Sequence, residues 1–250
     1  MPVRIGEVES LFRYPVKSMS GEALESAELG WHGIEGDRRL ALRRAGDHGG
    51  VPWLTASTLR ELILFTPLTR ESTANGNLPT HIRTPEGEEL PIFGGDLAAD
   101  VTRRYGQPVE MIHLKRGIFD DASISVITST TVDEVCRLSA QSPDVRRFRP
   151  NILIKPLRSV PFVEDEWMDS VLSFGEGTAA AAISITHHDE RCSVVNLDPD
   201  SARPAPEVLK AIVRERQNRV GLYATVTRQG PLALGQPVFL EPGAGRERSY

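Results

Sequence analysis

Residues 171–199 read VLSFGEGTAAAAISITHHDERCSVVNLDP. Val171–Phe174 and Thr178–Ile185 flank the turn Gly175-Glu176-Gly177, which is the pattern of a β-hairpin. The hairpin leads into Cys192. Beyond it Val195 and Leu197 point one way and Val194 and Asn196 the other, so a short strand with Cys192 at its entry is expected. Strand follows strand here with no helix between, which favours an antiparallel, mainly β protein over a parallel α/β sheet.

The same rhythm extends in both directions. Val3–Lys17 (VRIGEVESLFRYPVK) breaks a strict period of two, as a strand with a bulge that stops at Tyr14-Pro15 would. Strands are expected at Gly21–Leu29, Arg38–Arg43, Val109–Leu114, Ser123–Ile127, Ile152–Lys155, Gly221–Thr227 and Val238–Leu240, with a hairpin over His81–Phe93 across Pro85-Glu86-Gly87. Residues 71–80 are polar and turn-rich. Helical signals are few. Thr58-x-x-Glu61 has the form of a capping box, Asp96 is expected to cap a helix with Leu97, Val101 and Tyr105 on one face and Gly106 and Pro108 closing it, and Thr130–Leu138 and Pro204–Gln217 carry apolar faces. Short strands at about ten-residue spacing with scattered helices predict an α+β, mainly β, barrel-like protein.

Composition excludes several classes. The net charge is −5, which gives no global pull toward nucleic acid or an anionic membrane. No apolar run approaches the length of a membrane span, and MPVRIGEV lacks the apolar core of a secretion signal, so a cytoplasmic protein is expected. Two cysteines cannot build a disulfide framework or an all-cysteine iron–sulfur cluster. No dinucleotide fingerprint or phosphate-binding P-loop occurs, and the glycine-rich stretch at 44–50 lacks the lysine and hydroxyl of the latter.

Chemistry then concentrates on few residues. Cys192 follows Arg191, and a thiol beside a guanidinium is placed to be a thiolate, although an unselected cysteine is more often a small buried hydrophobe. Cys136 falls on the apolar stripe of its helix and reads as structural. Lys17 and Ser18 sit on the loop after the first strand, and Arg38 follows a Gly-Asp turn. Residues 144–158 (DVRRFRPNILIKPLR) hold the densest basic cluster, in which Pro150 stiffens a turn that leaves Arg149 and Asn151 projecting. Ser123, Thr128 and Ser129 flank a strand-to-helix junction whose free N–H groups favour an anion.

Several pieces, YPVKS at 14–18, GDR at 36–38, LTA at 54–56, FRPNILI at 148–154, EDEW at 164–167, RC…LDPD at 191–200 and Gly-x-Pro-Val at 235–238, together resemble the MOSC superfamily. The resemblance is to its two-part members, such as the mitochondrial amidoxime-reducing component. It implies an N-terminal β-barrel module over residues 1–108, a MOSC domain over 109–250, and binding of the molybdenum cofactor. By position, Cys192 would ligate molybdenum and serve as the catalytic residue. Lys17, Ser18, Arg38, Ser123, Arg149 and Asn151 would hold the pterin and its phosphate. The implied activity is reduction of N-hydroxylated compounds, with oxygen-atom transfer to molybdenum. Asp198, Glu190 and His188 are open as proton donors. Electrons would come from a separate iron–sulfur, flavin or haem protein, because the chain lacks the cysteines for a fused iron–sulfur domain. The alternatives are a carrier or store of the cofactor and a persulfide sulfur carrier at Cys192. Two departures stand out: Ser57 replaces an arginine common after Thr-Ala, and Asp189-Glu190 precede Cys192 where relatives are neutral or small. His187 and His188 with Cys192 make at most half a zinc site.

Overall fold

The computed structural model describes residues 2–47, 49–70 and 78–241. Most of the turn-rich stretch expected at 71–80 lies outside the described residues. In chain order the first strands are β1 (Val3–Arg13), β2 (Glu22–Leu24), β3 (Ser26–Gly30), β4 (Gly33–Ile34), β5 (Leu40–Arg44), β6 (Thr66–Leu68), β7 (His81–Arg83) and β8 (Glu89–Pro91). Helix α1 (Gly95–Tyr105) precedes β9 (Val109–His113) and β10 (Ile124–Thr128). Helix α2 (Ser129–Leu138) precedes β11 (Ile152–Pro156), β12 (Val171–Phe174) and β13 (Ala181–Glu190). Helix α3 (Glu207–Arg216) precedes β14 (Arg219–Arg228), β15 (Gly230–Ala233) and β16 (Pro237–Glu241).

The order β11-β10-β14-β13-β12-β16-β1 forms one sheet, and β1 pairs back onto β11, so seven strands close into a barrel. Closure leaves these strands no free edge. The pairs are antiparallel except β10–β11, and there the chain crosses over through α2, as parallel neighbours require. β1 sits between β11 and β16 and shifts register against each, between Val8 and Ser10 and between Arg4 and Gly6. The broken period of the opening segment is therefore a bulged strand, as expected. The barrel is filled by Leu11, Val126, Ile152, Phe174, Ile183 and Leu222, all under 1% exposed. Register Leu172↔Ile183 and Phe174↔Ala181 sets the hairpin's inward side chains together.

A smaller module is built from the β5–β9 pair, the sheet β6-β7-β8 and α1. Its core holds Leu42, Leu54, Phe65, Ile82, Leu97 and Val101. Helix α1 ends at Gly106, whose φ of 85° puts it in the left-handed region and whose N–H closes the last turn on Thr102. Helices α2 and α3 cover the barrel's outer wall through Val132, Val135, Val208 and Ile212. Cys136 is fully buried among them, and burial raises its thiol pKa. No helix among the described residues is long and apolar enough to cross a membrane.

Three local expectations are corrected. The segment after Cys192 is a 3-10 turn over Ser193–Asn196, because Val195 N–H and Leu197 N–H bond back to Cys192 O and Val194 O and leave nothing for a ladder. The strand instead runs up to Glu190. Thr58 does not cap a helix: Leu59 begins a five-residue 3-10 helix without a side-chain cap, and Glu61 pairs with Arg104. Gly94, not Asp96, stands at the start of α1, with Asp96 inside the first turn.

The N-terminus of α2 is already satisfied from within. Thr128 is its N-cap, and Glu164, fully buried, accepts from Thr128 N–H and from the hydroxyls of Thr128 and Thr131 at 3.4, 2.7 and 2.8 Å. The anion expected at this junction is thus the protein's own carboxylate. Burial raises the Glu164 pKa against the hydrogen bonds that lower it. A carboxyl raised in the fold contributes stability below its unfolded pKa, and that contribution is lost as pH rises through the folded value. Denaturant midpoints should therefore fall with rising pH above about 4.3, and Glu164→Gln should remove that fall. Glu164→Ala, which removes the acceptor shared by both hydroxyls and Thr128 N–H, should cost about 1–3 kcal/mol.

Candidate functional site

A cavity of about 320 Å³ opens where the barrel rim meets the loops of the smaller module. Lys17 and Ser18 reach it from the loop after β1, Arg38 from the turn before β5, and Arg147–Arg149 from the turn before β11. Asp189–Cys192 reach it from the end of β13, Ser125 from β10 and Tyr223 from β14. Thr55 and Ser57 add two hydroxyl-bearing side chains to the wall.

Lys17 is no solvated loop lysine. It is 5% exposed, its Nζ donating to Asp120 at 2.5 Å and to Ile118 O at 3.3 Å. Burial lowers its pKa, against the raising effect of Asp120. Arg38 donates to Asp37, to Asn151 Oδ1 at 3.4 Å and to Arg149 O at 3.2 Å. Asp37, fully buried, also accepts Tyr14 N–H at 2.7 Å. Asn151 is buried beneath the floor: its Oδ1 accepts Ser125 N–H at 3.1 Å and its Nδ2 donates to Phe12 O at 3.3 Å. It braces the cradle from below and does not line the cavity.

Arg149 differs from its neighbours. Its guanidinium takes no carboxylate among the described residues and lies 4.3 Å over the Tyr14 ring, while Arg38 lies 4.8 Å from the same ring. Burial and the adjacent Arg38 lower its pKa to about 10. Burial pushes the Tyr14 phenol up to about 12. Ser18, Arg38 and Arg149 all have positive φ, of 68°, 50° and 51°. Side-chain-bearing residues in that region cost roughly 1–3 kcal/mol each and collect at binding and catalytic sites.

Cys192 is exposed and stands at the start of its 3-10 turn, facing the cavity. Arg191 does not serve the thiol as its adjacency in sequence suggests. Its guanidinium is buried and committed to Val220 O and Phe148 O, each at 2.7 Å, with Asp189 at 3.1 Å. The bolt leaves no room at Gly221, where φ is +79° and a Cβ would meet Arg191 Nη2 at 2.8 Å. Asp189 is buried, accepts from Ser125 Oγ at 3.0 Å, and has its pKa raised by burial. Glu190 and Tyr223 also face the cavity, and burial raises the Tyr223 phenol.

The structure therefore brings Lys17, Ser18, Arg38, Arg149 and Cys192 to one cavity from four separate segments, with Asn151 beneath. Ser123 is not on the lining: it packs against Gly33, and Ser125 two residues on faces inward. Of the proton-donor candidates, Asp198 is turned into its own loop, bonding Arg147 and Ser201, and His188 pairs with Asp165 at 3.3 Å. Tyr14, Asp120, Ser125 and Tyr223 were not singled out from the sequence. Only Tyr14, inside YPVKS, carried a signal. Among the described residues no group of three or more His, Cys, Asp or Glu could hold a metal ion.

Comparison with known proteins bears on the family and the fold. The model of the MOSC domain matches residues 101–239, and that of the MOSC N-terminal beta barrel domain matches residues 5–106. The YuaD protein of Bacillus subtilis is similar in structure at 14% identity, with 97% of this chain and 99% of that chain covered and a TM-score of 0.52. YiiM from Geobacillus stearothermophilus matches at 20% identity over 49% of this chain and 56% of its own, with a TM-score of 0.38. No curated protein matches. These likenesses to solved structures concern the fold alone.

The Asp37–Arg38 pair is the cradle's structural tie. Removing one member of a buried pair strands the other, at a cost of about 3–5 kcal/mol. Asp37→Ala should lose that much in chemical denaturation, and Arg43→Ala, whose Glu110 pair is exposed, should lose under about 1 kcal/mol.

Proposed function

The chain belongs to the MOSC family, with both parts of its two-part members present, and from that premise we propose that it holds the molybdenum cofactor at Cys192 and reduces N-hydroxylated compounds. Molybdenum-cofactor binding is general in this family. The observation that carries the reading is the pairing, in one cavity, of an exposed thiol with a guanidinium that has no carboxylate of its own among the described residues.

The donor set fits the group. A thiolate is a soft ligand suited to such a metal. Arg149, with Lys17 and Arg38 beside it, supplies charge-assisted donors for a phosphate. When bound, the cofactor supplies two-electron oxygen-atom-transfer chemistry. The chain's residues do the rest. Cys192 anchors and orients the metal end, and its turn is locked through Arg191 to Phe148 and Val220. Asp189, whose pKa burial raises against Arg191 and the Ser125 hydroxyl, sets a carboxyl in the cavity wall, and Glu190 offers a second one nearer solvent. A separate electron-transfer protein completes the cycle in this reading.

Paired substitutions test it. Cys192→Ser should leave the melting temperature of cofactor-free protein unchanged while abolishing turnover of an N-hydroxylated substrate under a chemical reductant and altering the Mo(V) paramagnetic spectrum. Cys136→Ser should do the reverse, losing about 1–3 kcal/mol of stability with the spectrum intact. Stoichiometric metal without turnover would favour a cofactor carrier, and a cyanide-labile persulfide without metal a sulfur carrier. Arg149→Ala should lower cofactor content at least about tenfold, since one charge-assisted bond contributes roughly 1.5–3 kcal/mol. Full pterin and molybdenum in that variant would remove Arg149 from the site.

A further inference from the structure

The loop joining β9 to β10 reaches the cavity at Asp120, and its two halves are held differently. The first half is tied by its backbone: Leu114 N–H donates to Arg39 O at 2.8 Å and Ile118 N–H to Arg38 O at 2.7 Å. Residues 119–122 make no backbone–backbone hydrogen bond among the described residues. Two carboxylates hold them instead. Asp120 Oδ1 accepts from Lys17 Nζ at 2.5 Å on one side, and Asp121 Oδ2 lies 2.7 Å from His187 Nε2 on the other. Gly117, with φ of 80°, stands just ahead of this half, in a conformation that glycine takes without strain.

Asp120 stands between two spaces. It lines the cavity already described and also a second one of about 490 Å³, which shares Glu190 and Tyr223 with the first. Its side chain is 74% exposed, whereas that of Lys17 is 5%. An exposed carboxylate thus reaches in to a buried ammonium, and such a pair loses little when another anion takes its place. Its charge also falls on the rest of the cradle. Burial lowers the pKa of Lys17 and of Arg149, and Asp120 is among the charges that oppose this in both. A bound oxyanion would meet the same cations.

We propose that Asp120 is a built-in competitor for the cradle: residues 119–122 form a strap that closes on Lys17 while the cavity is empty, and an oxyanion enters by displacing it. The proposal rests on reading the cradle as a phosphate site, and on neither the metal nor the reaction. The strap lowers the apparent affinity of every anion by the fraction of molecules that are open; closed in about nine molecules of ten, it weakens binding about tenfold. A monoanion offers Lys17 nothing that the tethered carboxylate does not already supply at higher effective concentration. A dianion, such as a phosphate monoester, has a second charge for Arg38 and Arg149 and so keeps useful affinity against the strap.

Calorimetric titration of the full-length, cofactor-free protein with sulfate at low ionic strength tests it. Asp120→Asn replaces the competitor with a neutral amide of the same shape and should tighten sulfate binding about three- to tenfold. Loss of a carboxylate also favours an anion through the field alone, so two further variants separate the causes. His187→Phe keeps a ring against Tyr223 but cuts the strap's other anchor. It removes an imidazole and frees the Asp121 charge, both of which work against an anion, so sulfate binding tightened about twofold or more there reports release of the strap. In a Lys17→Met background, Asp120→Asn should change sulfate affinity less than about twofold, because nothing is left to compete for. Should Lys17→Met not fold, His187→Phe decides alone, since its side chain faces solvent in part. Sulfate held no tighter by Asp120→Asn, tightened equally with and without Lys17, or held no tighter by His187→Phe overturns the strap and leaves the function proposed above standing. No sulfate binding by wild type or by Asp120→Asn overturns both the strap and the phosphate site. The expected sulfate results in protein that takes up no molybdenum would sink the proposed function alone.

Discussion

Everything at the site depends on how Arg38 is held. Its guanidinium meets Asp37, Asn151 and the Arg149 carbonyl at once, and it faces the Tyr14 ring. Asp37 in turn fixes the backbone of Tyr14, and Asn151 ties β1 to β10 through Phe12 and Ser125. Three segments far apart in sequence thus converge on one planar cation, with β10 joined to them through Asn151. A guanidinium suits this role because its rigid fork addresses several acceptors in fixed directions, where a lysine would offer one mobile charge.

The cradle concentrates positive charge at low exposure. Arg38 has its buried carboxylate and Lys17 has Asp120, but Arg149 has only an aromatic face and the neighbouring cation that opposes it. Three residues of the same cradle adopt left-handed backbone without being glycine. Both features work against stability and are tolerated because the closed barrel beneath them is well packed.

The barrel was legible in the sequence because strands announce themselves by alternation, and closure leaves most of them one buried face. The hairpin at 171–185, the bulge in β1 and the left-handed stop at Gly106 all followed local rules that tertiary contacts did not override. Rules that concern ends fared worse. Thr58 and Asp96 look like caps, but other residues open those helices. The 3-10 turn after Cys192 has the same apolar alternation as a strand, and only its hydrogen bonds distinguish the two. At the site, spacing placed the cations and the thiol in one region. It could not say that Arg191 would turn to two backbone carbonyls, that Asn151 would lie under the floor, or that Ser125 and not Ser123 would face inward. Those facts depend on partners brought from other segments and not on local spacing. Asp120 and Tyr223 carried no signal because their roles are set entirely by partners across the fold.

β1 has the last strand, β16, on one side and β11 on the other, so the barrel joins its first strand to its last. During synthesis the opening strand emerges long before its second neighbour exists. Its edge must wait, unpaired, through more than two hundred residues of chain. Contacts of such long sequence separation slow folding and prolong the exposure of sticky edges. The barrel cannot close until β16 is in place, so the cavity, which draws on β10, β13 and β14 as well as the loop after β1, takes its shape only once strands from both ends of the barrel have met.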